Sequence, residues 1–260
     1  MQRSLVGSEM CIRDRRYAYI VIAIIGILWA IIWKQISKDL YDTNEITSKV
    51  KLSKENVFSC IVNRKVLGMS IGFFCYNYIK NFYLTWFPSY LVSEKGFSIL
   101  KVGIWGMLPS IAAVFGGLIA GTITDKMISN GHSKTLSRKL PLCVGLICSG
   151  SIVFADSVHS GYLAVALLSF SFAMAIAASP SIWAIPGDIA PDSNLVGTIG
   201  GIQNTVSNIA GIVAPIITGY IIYKTGGFKV ALLASGIISC IGAFSYIFVV
   251  GKLEAIDIGN

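Results

Sequence analysis

The chain has 260 residues, 54% of them hydrophobic and only 13% charged, with a formal net charge of +8. That charged share is about half of what a soluble globular domain carries, which excludes a protein whose main solvent is water. The bases sit in the connections between apolar runs rather than in one folded patch, so the positive charge reads as membrane orientation and not as a nucleic-acid partner.

Residues 1–16 carry Arg3, Arg13, Arg15 and Arg16 and read as a leader foreign to the rest of the sequence. Residues 17–36 form a first apolar helix, and residues 37–65 a long, polar linker of mixed charge. Six further spans are expected within residues 66–252, and residues 253–260 form a tail. The first of these six, Val66 to Ser93, is interrupted only by Lys80. The other uncharged runs cover residues 102–124, 140–155, 157–187, 193–223 and 230–251, most of them close to the roughly 20 residues a helix needs to cross a bilayer. The expected fold is therefore an all-α membrane protein of about seven transmembrane helices. No run shows the alternation of a membrane strand, and only helices then satisfy the backbone in lipid.

Lysines and arginines crowd the stretch from Lys34 to Lys65 and the loop holding Lys126, Lys134, Arg138 and Lys139. Both are expected in the cytoplasm, which also leaves the C-terminus there and makes the chain a multi-pass protein of the cell (inner) membrane. Six cysteines without a CxxC pair and two loop histidines, His132 and His159, offer no metal or hydrolase site, so neither a cofactor nor an enzyme is expected. A membrane enzyme acting on a lipid-linked substrate would need clustered acids or histidines at one membrane face, which the sequence lacks.

Glycine and proline recur inside the spans, where they permit bends and close helix approach. In the span starting at Ser193, Gly197, Gly201, Asn204, Asn208, Gly211, Pro215 and Gly219 recur at steps of three and four and so share one face. That stripe reads either as tight helix packing or as a cavity wall. Two amides one turn apart supply more donors and acceptors than packing requires. Lys80 is the one charge in a span interior, in FFCYNYIKNFYLTWFPSYL, and no acid lies in a span interior to match it. An intramembrane cation costs at least ~2.5 kcal/mol, so it needs water, a partner or a ligand. Either a carboxylate outside this chain or an anionic substrate would meet the need. Tyr76 and Tyr83 lie four and three residues from Lys80, with Asn77 beside them, and Trp183 stands between Pro180 and Pro186.

Tyr83-Leu-Thr-Trp-Phe-Pro-Ser-Tyr-Leu-Val and Glu94-Lys-Gly-Phe-Ser-Ile-Leu-Lys-Val-Gly resemble the seventh helix and following loop of the anion:cation symporter branch of the major facilitator superfamily. The nearest likeness is to its glucarate, galactonate and hexuronate permeases. Gly116-Gly-Leu-Ile-Ala-Gly-Thr-Ile-Thr-Asp125, Arg138-Lys139, Asp188-Ile-Ala-Pro191 and Gly200-Gly-Ile-Gln-Asn-Thr-Val-Ser-Asn208 follow in the family's order, and the likeness runs from about Tyr17 to Leu253.

The resemblance implies two six-helix bundles, of which this chain supplies the last helix of the first and all of the second. It implies import of a small organic anion, such as a sugar acid, by proton symport in the lipid bilayer. The family's cavity-lining seventh, tenth and eleventh helices map onto Tyr76, Asn77 and Lys80, onto Ser179 and Trp183, and onto Asn204 and Asn208. Asp125, Arg138 and Lys139 match its cytoplasmic gating motif. Lys80 departs from close members, which carry a neutral residue there, and the acidic and arginine residues that couple protons belong to the missing N-terminal bundle. Transport of another organic or inorganic anion, or an inactive truncated fragment, are the alternative expectations.

Overall fold

The computed structural model describes residues 3–41 and 54–256, with side chains for residues 17, 19–37, 57–193 and 195–256. Residues 42–53 of the expected linker and the last residues of the expected tail, 257–260, lie outside the described residues. The chain divides into two units, Met1–Lys51 and Leu52–Asn260.

The first unit holds one helix, α1 (Arg3–Tyr41). Its residues from Tyr19 to Trp33 are exposed on every side, with Trp29 and Trp33 stacked along one edge at 6.4 Å between ring centroids. A helix apolar all round is built to be covered by lipid or by other helices.

The second unit is a helical bundle made of α2 (Lys54–Val62), α3 (Arg64–Thr85), α4 (Phe87–Ser93), α5 (Ile99–Trp105), α6 (Leu108–Ser129), α7 (Lys134–Ser149), α8 (Gly161–Ala177), α9 (Ser179–Ile189), α10 (Ser193–Thr225) and α11 (Lys229–Phe244). A 3-10 turn, Gly150–Ala155, extends α7, and a π turn, Ser245–Val250, extends α11. Across both units, six helical segments among the described residues are long and apolar enough to cross a membrane, and this is a multi-pass membrane protein. The segment formed by α3 and α4 is not among the six, because Asn77, Lys80, Asn81 and four tyrosines dilute its apolar residues; it nevertheless packs into the same bundle. It completes the expected seven.

Three of the spans are broken near a proline. Pro88, Pro109 and Pro180 each stand in the first turn of α4, α6 and α9, where a missing N–H costs nothing because that donor has no partner within the helix. Glycines let the backbones meet. A β-carbon on Gly116 would stand 2.3 Å from the Ala173 carbonyl oxygen, and one on Gly145 would stand 2.6 Å from that of Met174. These contacts seat α6 and α7 on α8, with small residues at the helix interface in place of the hydrophobic effect, which is absent in lipid.

Buried side chains fall into two large clusters. One, around Val66, Met69, Leu142, Ile185, Tyr246 and Val250, lies where α3 begins and the chain ends. The other, around Phe82, Tyr90, Phe97, Leu168 and Leu232, lies at the opposite end. That opposite end is clasped across three connections. Tyr90 Oη donates to the Ala155 carbonyl, Lys95 Nζ to that of Val158, and the Phe228 N–H donates to Glu94 Oε1.

Candidate functional site

Helix α3 supplies the centre of the site. Phe73, Tyr76, Asn77 and Lys80 occupy one arc of it, following from a helical step of about 100° per residue. Tyr76 is 4% exposed, and its hydroxyl lies near the Ser179 side chain at the start of α9. Phe73 stands edge-on to Trp183 at 5.3 Å and tilted against Tyr76 at 5.7 Å. Tyr76 and Trp183 thus both pack on one phenylalanine, and Ser179 lies near the Tyr76 hydroxyl. Trp183 itself is 57% exposed and forms a rim.

Asn77 is 6% exposed, and its Oδ1 has no hydrogen-bond partner. Buried polar atoms are nearly always satisfied, and this acceptor has no protein donor among the described residues. Lys80 is half-buried, and no carboxylate lies within ion-pair distance of it among the described residues. Tyr83, placed beside Lys80 by its spacing, instead stacks on Phe172 in the core at 4.3 Å.

Helix α10 lies beside α3. A β-carbon on Gly211 would meet the Asn81 side chain at 3.8 Å and one on Gly219 would meet Trp86 at 2.9 Å, while Tyr78 and Thr218 share a hydrogen bond of 3.3 Å. Leu195 and Ile199 cluster with Val66 and Met69 at the start of α3, and Gly219 meets Trp86 just past its end, so the two helices run parallel. Asn204 and Asn208 share a face of α10 with Gly211, the residue that meets Asn81. The core face of α10 is Ile199, Gln203, Ser207, Ala210, Ala214 and Thr218. The stripe holding Asn204 and Asn208 is exposed on the open side of this bundle. Asn208 Nδ2 donates to the Asn204 carbonyl at 2.8 Å and to Asn204 Oδ1 at 3.1 Å.

Gln203 was missed by the sequence reading. It is 1% exposed, donates from Nε2 to the Ile182 carbonyl of α9 at 3.2 Å, and leaves Oε1 without a partner. Its position within the quoted Gly200 to Asn208 motif was the available signal.

Of the expected gating residues, Arg138 is paired with an acid outside that set. Its Nε donates to Asp188 Oδ2 at 3.1 Å, tying α7 to the end of α9. Asp125 is exposed, with no ion pair among the described residues. Lys139 Nζ approaches the Ile247 carbonyl at 3.5 Å.

Residues 14–215 match the Major Facilitator Superfamily family model. Among curated proteins, the chain is 37% identical over 199 residues to the probable galactarate/D-glucarate transporter GudP of Pseudomonas putida, covering 76% of this chain and 43% of that protein. It is 30% identical over 262 residues to the D-galactonate transporter of Escherichia coli, covering 92% and 60%. It is 31% identical over 241 residues to the hexuronate transporter of Bacillus subtilis, covering 89% and 57%. The chain spans about half the length of the curated relatives it matches.

Proposed function

The chain belongs to the major facilitator superfamily, and from that premise we propose that it forms the substrate-binding second half of a secondary transporter that imports sugar acids by proton symport. The observation that carries this reading is Lys80, a half-buried cation within the bundle that no carboxylate meets among the described residues. An ammonium group there is tolerated at low cost when it faces a wet cavity or an anion.

In this reading the ammonium group attracts the substrate carboxylate, and Asn77 Oδ1 accepts a bond from a substrate hydroxyl. The Tyr76 and Ser179 hydroxyls and the amides of Asn204 and Asn208 orient the remaining hydroxyls. Trp183 and Phe73 give the apolar face of the carbon chain a surface. Specificity then comes from paired polar groups that a neutral or shorter solute leaves unsatisfied.

The same reading makes transport, not catalysis, the chain's work. Rocking of this bundle against a first bundle would expose the site to each side in turn. The end bearing Lys126, Lys134, Arg138 and the C-terminus would face the cytoplasm of the inner membrane. There the Arg138–Asp188 pair acts as part of the inner gate. The proton would be carried by acids of the first bundle, since this chain has none in a span interior.

The test is uptake of labelled D-glucarate, D-galactonate and a neutral hexose by cells producing the chain joined to the first-half helices of the Pseudomonas putida relative. Accumulation of the acids, lost when the pH gradient is collapsed, is expected. Equal uptake of the hexose, or acid uptake indifferent to the gradient, would overturn the reading.

A further inference from the structure

The last described residues do not leave the bundle. Gly251 takes φ 61° and ψ −138°, a conformation open to glycine alone among the residues, and it turns the chain back across the end of the bundle. Leu253 and Ile256 then bury to 6% and 3% exposure in the cluster that also holds Cys60, Cys143, Ile185 and Ile189. Glu254 and Ala255, between them, stay exposed. Three backbone groups of this segment are tied to three different helices or their ends. The Leu253 N–H donates to Thr135 Oγ1 of α7 at 3.0 Å, the Ile256 N–H donates to the Ile189 carbonyl of α9 at 2.9 Å, and the Glu254 carbonyl accepts from Lys65 Nζ of α3 at 2.9 Å.

The helix this segment holds is short and interrupted. Helix α9 is cut from α8 at Ala178 and contains Pro186, which removes a further rung of its hydrogen bonding. It ends at Ala190 in extended backbone. Besides apolar packing, it is tied to its neighbours by Gln203 at Ile182, by Arg138 at Asp188 and by Ile256 at Ile189. The last of these is the one tie made by a segment outside the spanning helices.

We infer that residues 252–256 are a releasable strap, which locks the lower end of α9, and with it Trp183, against α3 and α7. Release of the strap frees α9 to swing at the Ala178 break without unfolding the bundle. The strap is a conformational device of the end-closing kind, and it acts on a helix that borders the site.

The test uses the native thiols of the detergent-solubilised chain. Cys60 and Cys143 are 0% and 8% exposed in the cluster beneath the strap, whereas Cys75 is 4% exposed outside it. Maleimide modification is followed at each thiol by mass spectrometry in the full chain, in a chain ending at Gly251, and in Ile256→Asp. The expected result is modification of Cys60 and Cys143 faster by about tenfold or more, with Cys75 unchanged, as local opening requires. Thr135→Val keeps the shape and removes the acceptor, and a rise of about two- to fivefold at the same two thiols is expected. Unchanged rates at Cys60 and Cys143, or an equal rise at all three thiols, would overturn the strap.

Discussion

Arg138 donates from Nε to Asp188 Oδ2 at 3.1 Å, a bond that joins the start of α7 to the last turn of α9 across 50 residues of sequence. The two side chains are 20% and 13% exposed, so the pair is partly shielded from solvent screening. Asp188→Asn keeps the shape and removes the charge. It should cost about 1–2 kcal/mol, lowering the melting temperature of the detergent-solubilised chain by about 2–8 °C. Asp125→Asn, at an exposed and unpaired position, should leave the melting temperature within about 1 °C. Equal losses at both positions would contradict a stabilising role specific to the Arg138–Asp188 pair.

The glycines of the bundle divide into two groups that a thermal melt can separate. Gly116→Ala and Gly145→Ala place a β-carbon against backbone carbonyls that cannot move aside, and each should cost about 1–3 kcal/mol. Gly197→Ala and Gly201→Ala meet nothing within 4 Å and should be neutral or slightly stabilising in this chain. The second pair lies on the stripe with Asn204 and Asn208, so a large residue there should instead block uptake.

Helix positions and breaks were legible because apolar length and proline leave a local mark. Residues 102–124 lie inside the α5–α6 span, and Pro109 and Pro180 stand where segments restart. The orientation of individual side chains was less legible. Tyr83 shares a sequence neighbourhood with Lys80 yet turns into the core, because the ring of Phe172 from α8 is there to stack on it. The open side taken by Asn204 and Asn208 depends on where α3 lies, which period alone cannot give. The pairing of Arg138 with Asp188 and the return of Ile256 to Ile189 are long-range contacts without a local signal.

The neighbouring hydroxyls of Tyr76 and Ser179 predict a coupled effect on transport. Tyr76→Phe and Ser179→Ala should each raise the KM for sugar acids by about three- to tenfold. The double variant should be little worse than the more harmful single one, since the two act through one contact. A neutral or fully additive result in uptake assays would separate this pair from the site.

The most direct measurement is the KM for D-glucarate uptake by the completed transporter carrying Lys80→Gln, with Lys80→Arg alongside. A cation facing the substrate carboxylate predicts a rise of about ten- to a hundredfold for Gln, a smaller change for Arg, and similar losses across several sugar acids. An unchanged KM for every acid in Lys80→Gln would contradict the account and remove Lys80 from the site.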